Sequence, residues 1–319
     1  MRGRSVVIPF WQDRPPEEAL AIAATAADLG YPELWIGEMA TFDSFALATA
    51  IGTAHRRLTL TIGPLPIGAR TPTTIALGAA SVATLTGRPA RVAIGSSSPV
   101  VVERWHGRPW TDTAHGLADV ATIVRALLSG ERTDHHGRHS SSQGFRLRLD
   151  APGCHLTIAA FGPRALTVAA EHADRVVLNM VTVTSAARIV ADLARWAGSA
   201  PPPPVAVWLP ATVDPTADDH VQLARARVGY LGAPGYGEML REAGYGDLVD
   251  LARSGAPPAV VAEAIPPRLD ATVGLAGSSR DIEARISEYH AAGVSEVCLV
   301  PTTATDPSAA RTLEALVPT

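Results

Sequence analysis

The feature that most constrains this chain is an alternation of short apolar runs with longer helical stretches, repeated eight times. Residues 6–10, 34–37, 58–63, 91–95, 155–159, 176–179, 205–209 and 296–300 read as strands. The helical stretches that follow them are 15–29, 44–55, 72–86, 114–129, 163–172, 185–197, a long tract over 214–270, and 307–316. Pro15-Pro16-Glu17-Glu18 supplies the proline and acids that suit a first turn, and Gly30 supplies a stop. Eight strand-then-helix units in one chain call for parallel strands joined by helical crossovers. The fold class expected is α/β, a (β/α)8 TIM barrel with insertions, as a single domain over 1–319. An open doubly wound sheet is the alternative, and the count of eight favours the barrel. The insertions are expected near 131–153, where a hairpin is placed at Phe145–Leu149, and over 214–270, read as helical throughout.

Composition narrows the function classes. The net charge is −4, which leaves no basic footprint for nucleic acid. All 27 basic residues are arginine. Without lysine there is neither a Schiff-base nucleophile nor a P-loop. Cys154 and Cys298 are far apart and form no C-x-x-C pair, so they read as buried reduced thiols. No apolar run reaches 18 residues and the first ten do not form a signal peptide, so a cytoplasmic protein without a membrane partner is expected. Charged residues are 18% of the chain, below the usual figure of about 25%, which suits a covered face and a homodimer.

Barrel active sites lie at the C-terminal ends of the strands, so those ends were read for chemistry. Gly95-Ser96-Ser97-Ser98-Pro99 follows the fourth strand with small hydroxyl residues and open backbone amides, either an anion site or a plain turn. Ala160-Phe161-Gly162-Pro163 follows the fifth strand and begins a helix, leaving room for a phosphate at its N-terminus. Gly63-Pro64 follows the third strand, and a Gly-Pro bond adopts cis at low cost. Glu38, ending the second strand, is the best-placed carboxylate; a salt bridge or helix cap is its alternative role. His106, in Trp105-His106-Gly107, is a candidate proton donor, with a solvated loop histidine as the alternative. Phe10 and Trp11 end the first strand as a wall of the pocket or as packing under a loop, and Asn179 ends the sixth. The pocket is expected to be lined by Trp11, Glu38, Gly63, Ser97 and Asn179. His135, His136 and His139 suggest a metal site at first sight, but with few carboxylates nearby the tract reads as a solvated flexible loop.

Four stretches together resemble the luciferase-like monooxygenase superfamily, and within it the F420-dependent oxidoreductases of actinobacteria. They are Ala26–Glu38, Ile62–Pro72, Val92–Pro99 with Trp105-His106-Gly107, and Ala159–Arg164 with Glu171–Asp174. The resemblance covers most of the chain and is weakest over 131–153 and 214–270. Arg175 stands where the family has glycine. The resemblance implies a coenzyme ring at the top of the strands, backed by a cis bulge at Gly63-Pro64. It puts the coenzyme's phosphate contacts at Gly95–Ser98 and Ala160–Gly162. It implies hydride transfer between deazaflavin F420 and a small-molecule substrate, reducing a C=C or C=N bond. The alternatives are an FMNH2-dependent two-component monooxygenase and a non-catalytic flavin-binding member. The sugar-phosphate dehydrogenases of the family use a His and a Glu for acid–base work; Met39 and Ser98 stand at those positions here, so sugar-phosphate oxidation by that route is not expected.

Overall fold

The computed structural model describes every residue except Met1, Arg2, Phe10, Gln12, Met39, Pro152 and Thr319. The expectations for Phe10 and Met39 therefore lie outside the described residues. In chain order the elements begin with β1 (Gly3–Val7), α1 (Glu18–Asp28), β2 (Glu33–Ile36), α2 (Ser44–Ala54), β3 (Thr59–Pro66), α3 (Pro72–Thr86) and β4 (Ala90–Gly95). A π-helical turn at Val100–Trp105 precedes α4 (Thr113–Leu128), β5 (Asp134–His136), β6 (Ser141–Gln143), β7 (Leu156–Ala159), α5 (Pro163–His172) and β8 (Arg175–Asn179). Then come α6 (Val183–Trp196), β9 (Val205–Val213), α7 (Ala217–Leu231), α8 (Tyr236–Glu242), α9 (Gly246–Arg253), α10 (Pro258–Glu263) and α11 (Arg268–Thr272). The chain closes with β10 (Leu275–Gly277), α12 (Ser279–Ala291), β11 (Glu296–Pro301) and α13 (Ala310–Ala315). Eight of these strands each lead into a helix, and the chain is a (β/α)8 TIM barrel.

Contacts group the chain into two compact units. The first holds residues 1–31, 178–191 and 206–319. Its strands run parallel in the order β10-β9-β11-β1, with Ser5 opposite Cys298 and Cys298 opposite Trp208. The second holds 32–177 and 192–205; there β2, β3, β4, β7 and the start of β8 lie parallel in sequence order. Helix ends follow local chemistry. Thr71 caps α3 by accepting from Thr74 N, Pro72 sits in its first turn, and Gly87 closes it in the left-handed conformation. Thr216 with Asp219 and Ser278 with Asp281 form capping boxes on α7 and α12.

Three expectations need correction. The first strand lies three residues earlier than the apolar run suggests. Its polar half is stabilised by specific partners: Ser5 Oγ donates to Glu296 Oε1, and Arg4 reaches Glu283 and the carbonyl of Leu316. The hairpin of the 131–153 insertion is β5–β6, not Phe145–Leu149. These strands carry no apolar alternation and are anchored instead by Asp119 of α4, which accepts from the His135 ring and from the amides of His139 and Ser140. The histidine tract is thus a pinned hairpin rather than a flexible loop, and among the described residues no group of three or more His, Cys, Asp and Glu is arranged to hold a metal ion. Leu147 packs into the core with Ala76, Ala80, Ile123 and Leu127. Finally, β10 pairs with β9 just beyond the helical tract, where no strand was expected; at three residues it is too short for periodicity to reveal.

Near the N-terminal ends of the second unit's strands, Glu33 gathers Thr61, Arg91 and Arg175 around one buried carboxylate. Arg175 also lies over the Trp35 ring at 4.2 Å and donates to Thr61 Oγ1 at 3.0 Å. The arginine that departs from the family pattern is therefore built into the interior, its charge met by Glu33. Among the described residues no helix is long and apolar enough to cross a membrane.

Candidate functional site

The second unit gathers most of the sequence-predicted residues at strand ends. β3 is interrupted by a register shift against β4 between Ile62 and Leu65, and the Gly63-Pro64 bond inside it is cis, as expected. Only glycine fits at position 63: its φ is +119°, and a Cβ there would stand 2.1 Å from the carbonyl oxygen of Ala93. Gly95 is similarly confined, since a Cβ would lie 3.2 Å from Ala159 Cβ and 3.4 Å from Pro64 Cβ. The bulge thus closes against the β4 backbone at Gly63, while Gly95 lies beside the side chains of Ala159 and Pro64.

Beyond Gly95 the serine loop divides its duties. Ser98 caps the π-helical turn, its Oγ accepting from Val101 N at 3.4 Å and its carbonyl from Val102 N at 2.9 Å. Ser96 accepts the Trp110 indole N–H through its carbonyl at 2.8 Å. Ser97 is exposed and held at φ +58°, a conformation that non-glycine residues rarely adopt. Such backbones cluster at binding sites. Across from this loop, α5 starts at Gly162 with Pro163 next; no side chain caps it, and nothing lies within 4 Å of a Cβ built on Gly162. Its first-turn amides are open to an anion.

Glu38 and His106 line one cleft, together with Thr41, Phe42, Asp43, Pro66, Arg70, Val101 and Trp105. The cleft is open to solvent and offers about 190 Å³ of accessible space, less than the roughly 300 Å³ at which small-molecule pockets usually begin. Its central group is Arg70, noted in the sequence only as part of a motif. Arg70 follows the end of β3, where its amide donates to the Pro66 carbonyl at 3.0 Å. Arg70 Nε donates to both Glu38 oxygens, at 2.9 and 2.7 Å, and Nη2 reaches Glu38 Oε2 at 2.5 Å and Asp43. Ser44 Oγ adds a donor to Glu38 at 3.3 Å. Asp43 in turn caps α2, accepting from the amides of Phe45 and Ala46 at 3.0 Å. The guanidinium lies 5.1 Å from the Phe45 ring centroid, and Phe45 fits against α3 because residue 78 is glycine. Gly68 likewise admits Val102, which seats the π-helical turn bearing Trp105 and His106 beside this cluster.

These contacts move the titrations. Burial pushes the Asp43 carboxyl up, but hydrogen bonds from Arg70 and from the Ala46 and Phe45 amides outweigh it and hold the group below its ordinary value. The hydrogen bond to Glu38 raises Arg70 against the opposing effect of burial, and Asp43 raises it further. Glu38 therefore meets donors on both oxygens. His106 is exposed, and among the described residues its ring has no hydrogen-bond or ion-pair partner.

Two predicted pocket residues belong to the first unit. Trp11 Nε1 donates to the Pro301 carbonyl at 3.0 Å, and the Asn179 carbonyl accepts from the Tyr236 hydroxyl at 3.0 Å. Met180, next to Asn179, is held at φ +47° and lines a small closed cavity with Tyr230, Tyr236, Met239 and the buried Arg227. Sequence reading missed Arg70, Asp43 and Phe42 as cleft residues; the spacing of Arg70 to Pro72 was the available signal.

Residues 5–296 match the family described as luciferase-like monooxygenase. A protein of Mycobacterium tuberculosis named as a coenzyme F420-dependent oxidoreductase is 26% identical over 182 residues, and the match spans only 52% of each chain, about half its length. The 5,10-methylenetetrahydromethanopterin reductase of Archaeoglobus fulgidus is 25% identical over 91% of each chain. Among solved structures, the coenzyme F420 dependent tetrahydromethanopterin reductase of Methanopyrus kandleri superposes with a TM-score of 0.80, covering 99% of this chain and 98% of its own at 17% identity.

Proposed function

The chain belongs to the luciferase-like monooxygenase family, and from that premise we propose that it is an oxidoreductase passing a hydride between deazaflavin F420 and a small organic substrate, in the direction that reduces a C=C or C=N bond. The observation that carries this reading is the bulge of β3 at Gly63-Pro64 beside Gly95, close to the uncapped start of α5. A flat ring would lie against the bulge, and a phosphate fits open helix amides. Gly63, Pro64 and Gly95 would hold the ring. Ser96, Ser97, Ala160, Phe161, Gly162 and Pro163 would hold the phosphate, with Ser98 shaping their loop.

Reduced F420 supplies a hydride when bound, and the protein's task is to orient the substrate and place a proton. Glu38 is fixed as a hydrogen-bond acceptor by Arg70 and Ser44. His106, free in the same cleft, is the group that can deliver a proton and recover it from solvent.

The experiment is a parallel titration of F420 and FMN by fluorescence. F420 should bind at least tenfold more tightly. Ser97→Glu should weaken it by at least tenfold, because a carboxylate near a phosphate is repelled. Tight FMN binding without F420 binding would move the assignment to a two-component FMN monooxygenase.

A further inference from the structure

We propose that the Glu38–Arg70–His106 cleft selects an uncharged, ring-bearing substrate and rejects phosphorylated or carboxylated ones, with Arg70 as the residue that sets this specificity. The inference rests on the reading of this cleft as the substrate end of an F420 site.

The cleft has one permanent cation, Arg70, and that cation is committed inside the protein. Nε serves both oxygens of Glu38, and Nη2 is shared between Glu38 and Asp43. Only Nη1 lacks a partner among the described residues. An anion reaching for it would meet two carboxylates against one guanidinium, so it enters a region of surplus negative charge. Protonation of His106 brings that surplus to zero and no further. A phosphate or carboxylate would therefore lose its hydration without gaining a free counter-charge. A cation would have to share Glu38 and Asp43 with the guanidinium that already bridges them, so it gains less than it would from free carboxylates.

The rest of the lining is built for an apolar ring. Phe42 is 36% and Trp105 47% exposed, an unusual amount of aromatic surface to leave in water at one site, and Pro66 and Val101 supply an apolar floor. Aromatic faces of this kind take flat rings by stacking and edge contacts. The polar groups left to the ligand are the Thr41 hydroxyl and the His106 imidazole, suited to one carbonyl oxygen or ring nitrogen. Bound reduced F420 would supply the hydride to one atom of the substrate's double bond and be oxidised; His106 would give a proton to the other atom and recover it from water.

The test is calorimetric and needs no turnover. Three probes share a bicyclic ring and differ in charge: 1-tetralone, 1-naphthyl phosphate and 1-naphthylmethylammonium. The wild type should bind 1-tetralone at least tenfold more tightly than either charged probe, and Trp105→Ala should abolish that binding. In Arg70→Gln the carboxylates lose their guanidinium, and affinity for the ammonium probe should rise at least tenfold, a gain that misfolding cannot mimic. Equal or tighter binding of the phosphate or ammonium probe by the wild type overturns the proposal. So does failure of all three to bind, or an unchanged ammonium affinity in Arg70→Gln. The F420 titration is independent of these probes, so a protein that binds F420 but ranks them differently refutes the specificity alone.

Discussion

Both units hold arginine–carboxylate pairs, and two of these arginines, Arg70 and Arg227, are used in opposite ways. In the second unit Arg70 sits at a cleft wall, partly open to solvent, with its Nε and Nη2 donors taken by Glu38 and Asp43. In the first unit Arg227 is almost wholly buried, paired through Nη1 to Asp270, whose other oxygen meets His220. Its Nε and Nη2 have no partner among the described residues. Burial is the dominant influence on Arg227 and pushes its basicity down, with Asp270 opposing. The comparison teaches that ion pairs of like composition do different jobs according to depth. At the rim a pair shapes charge at little energetic cost, whereas in the interior removal of one partner strands the other.

The two depths predict losses of different size on substitution. Asp270→Ala should have the largest effect, lowering stability in urea denaturation by about 3–5 kcal/mol because Arg227 is left buried and unpaired. A loss below about 1 kcal/mol would mean that water already satisfies the guanidinium. Next, His106→Asn should leave F420 affinity unchanged while slowing F420H2-driven reduction of a cyclic enone by about 10²–10⁴-fold; equal losses in both would make His106 a binding group instead. Arg70→Gln, the rim counterpart of the first variant, should cost only about 1 kcal/mol of stability. A cost equal to that of Asp270→Ala would erase the distinction between the two sites.

The smallest effect concerns the hairpin. Burial pushes Asp119 up, but the His135 hydrogen bond and the His139 and Ser140 amides bring it below its ordinary value. A carboxylate lowered in the folded state contributes stability above its unfolded value of about 3.9. That contribution is lost as pH falls through the lower folded value. Asp119→Asn should therefore cost less than about 1 kcal/mol at pH 7 and nothing at pH 2, read from thermal unfolding at the two pH values.

The barrel was legible because eight apolar runs with capped helices between them leave few alternatives. Pro72 and Gly87 bounded α3 from sequence, and the bulge at Gly63-Pro64 followed from the family resemblance. What escaped was set by partners distant in sequence. The polar start of β1 depends on Glu296 and Glu283, and β5–β6 depends on Asp119. Glu38 was visible as a strand-end carboxylate, but its role is decided by Arg70, 32 positions on. Nothing in local spacing reveals that Arg70's charge is already taken. Arg227 and Asp270, 43 positions apart, gave no local signal at all.

The cluster around Glu33 has a consequence for how the chain assembles. Thr61, Arg91 and Arg175 come from three different strands, and all must arrive on the same side as one carboxylate. Successive side chains on a strand point to opposite faces, so a one-residue slip of β8 against β7 would swing Arg175 out and leave Glu33 to Arg91 and Thr61. The four residues thus act as a key that favours one alignment of the strands. Positions 33 and 175 should change together when this fold is varied.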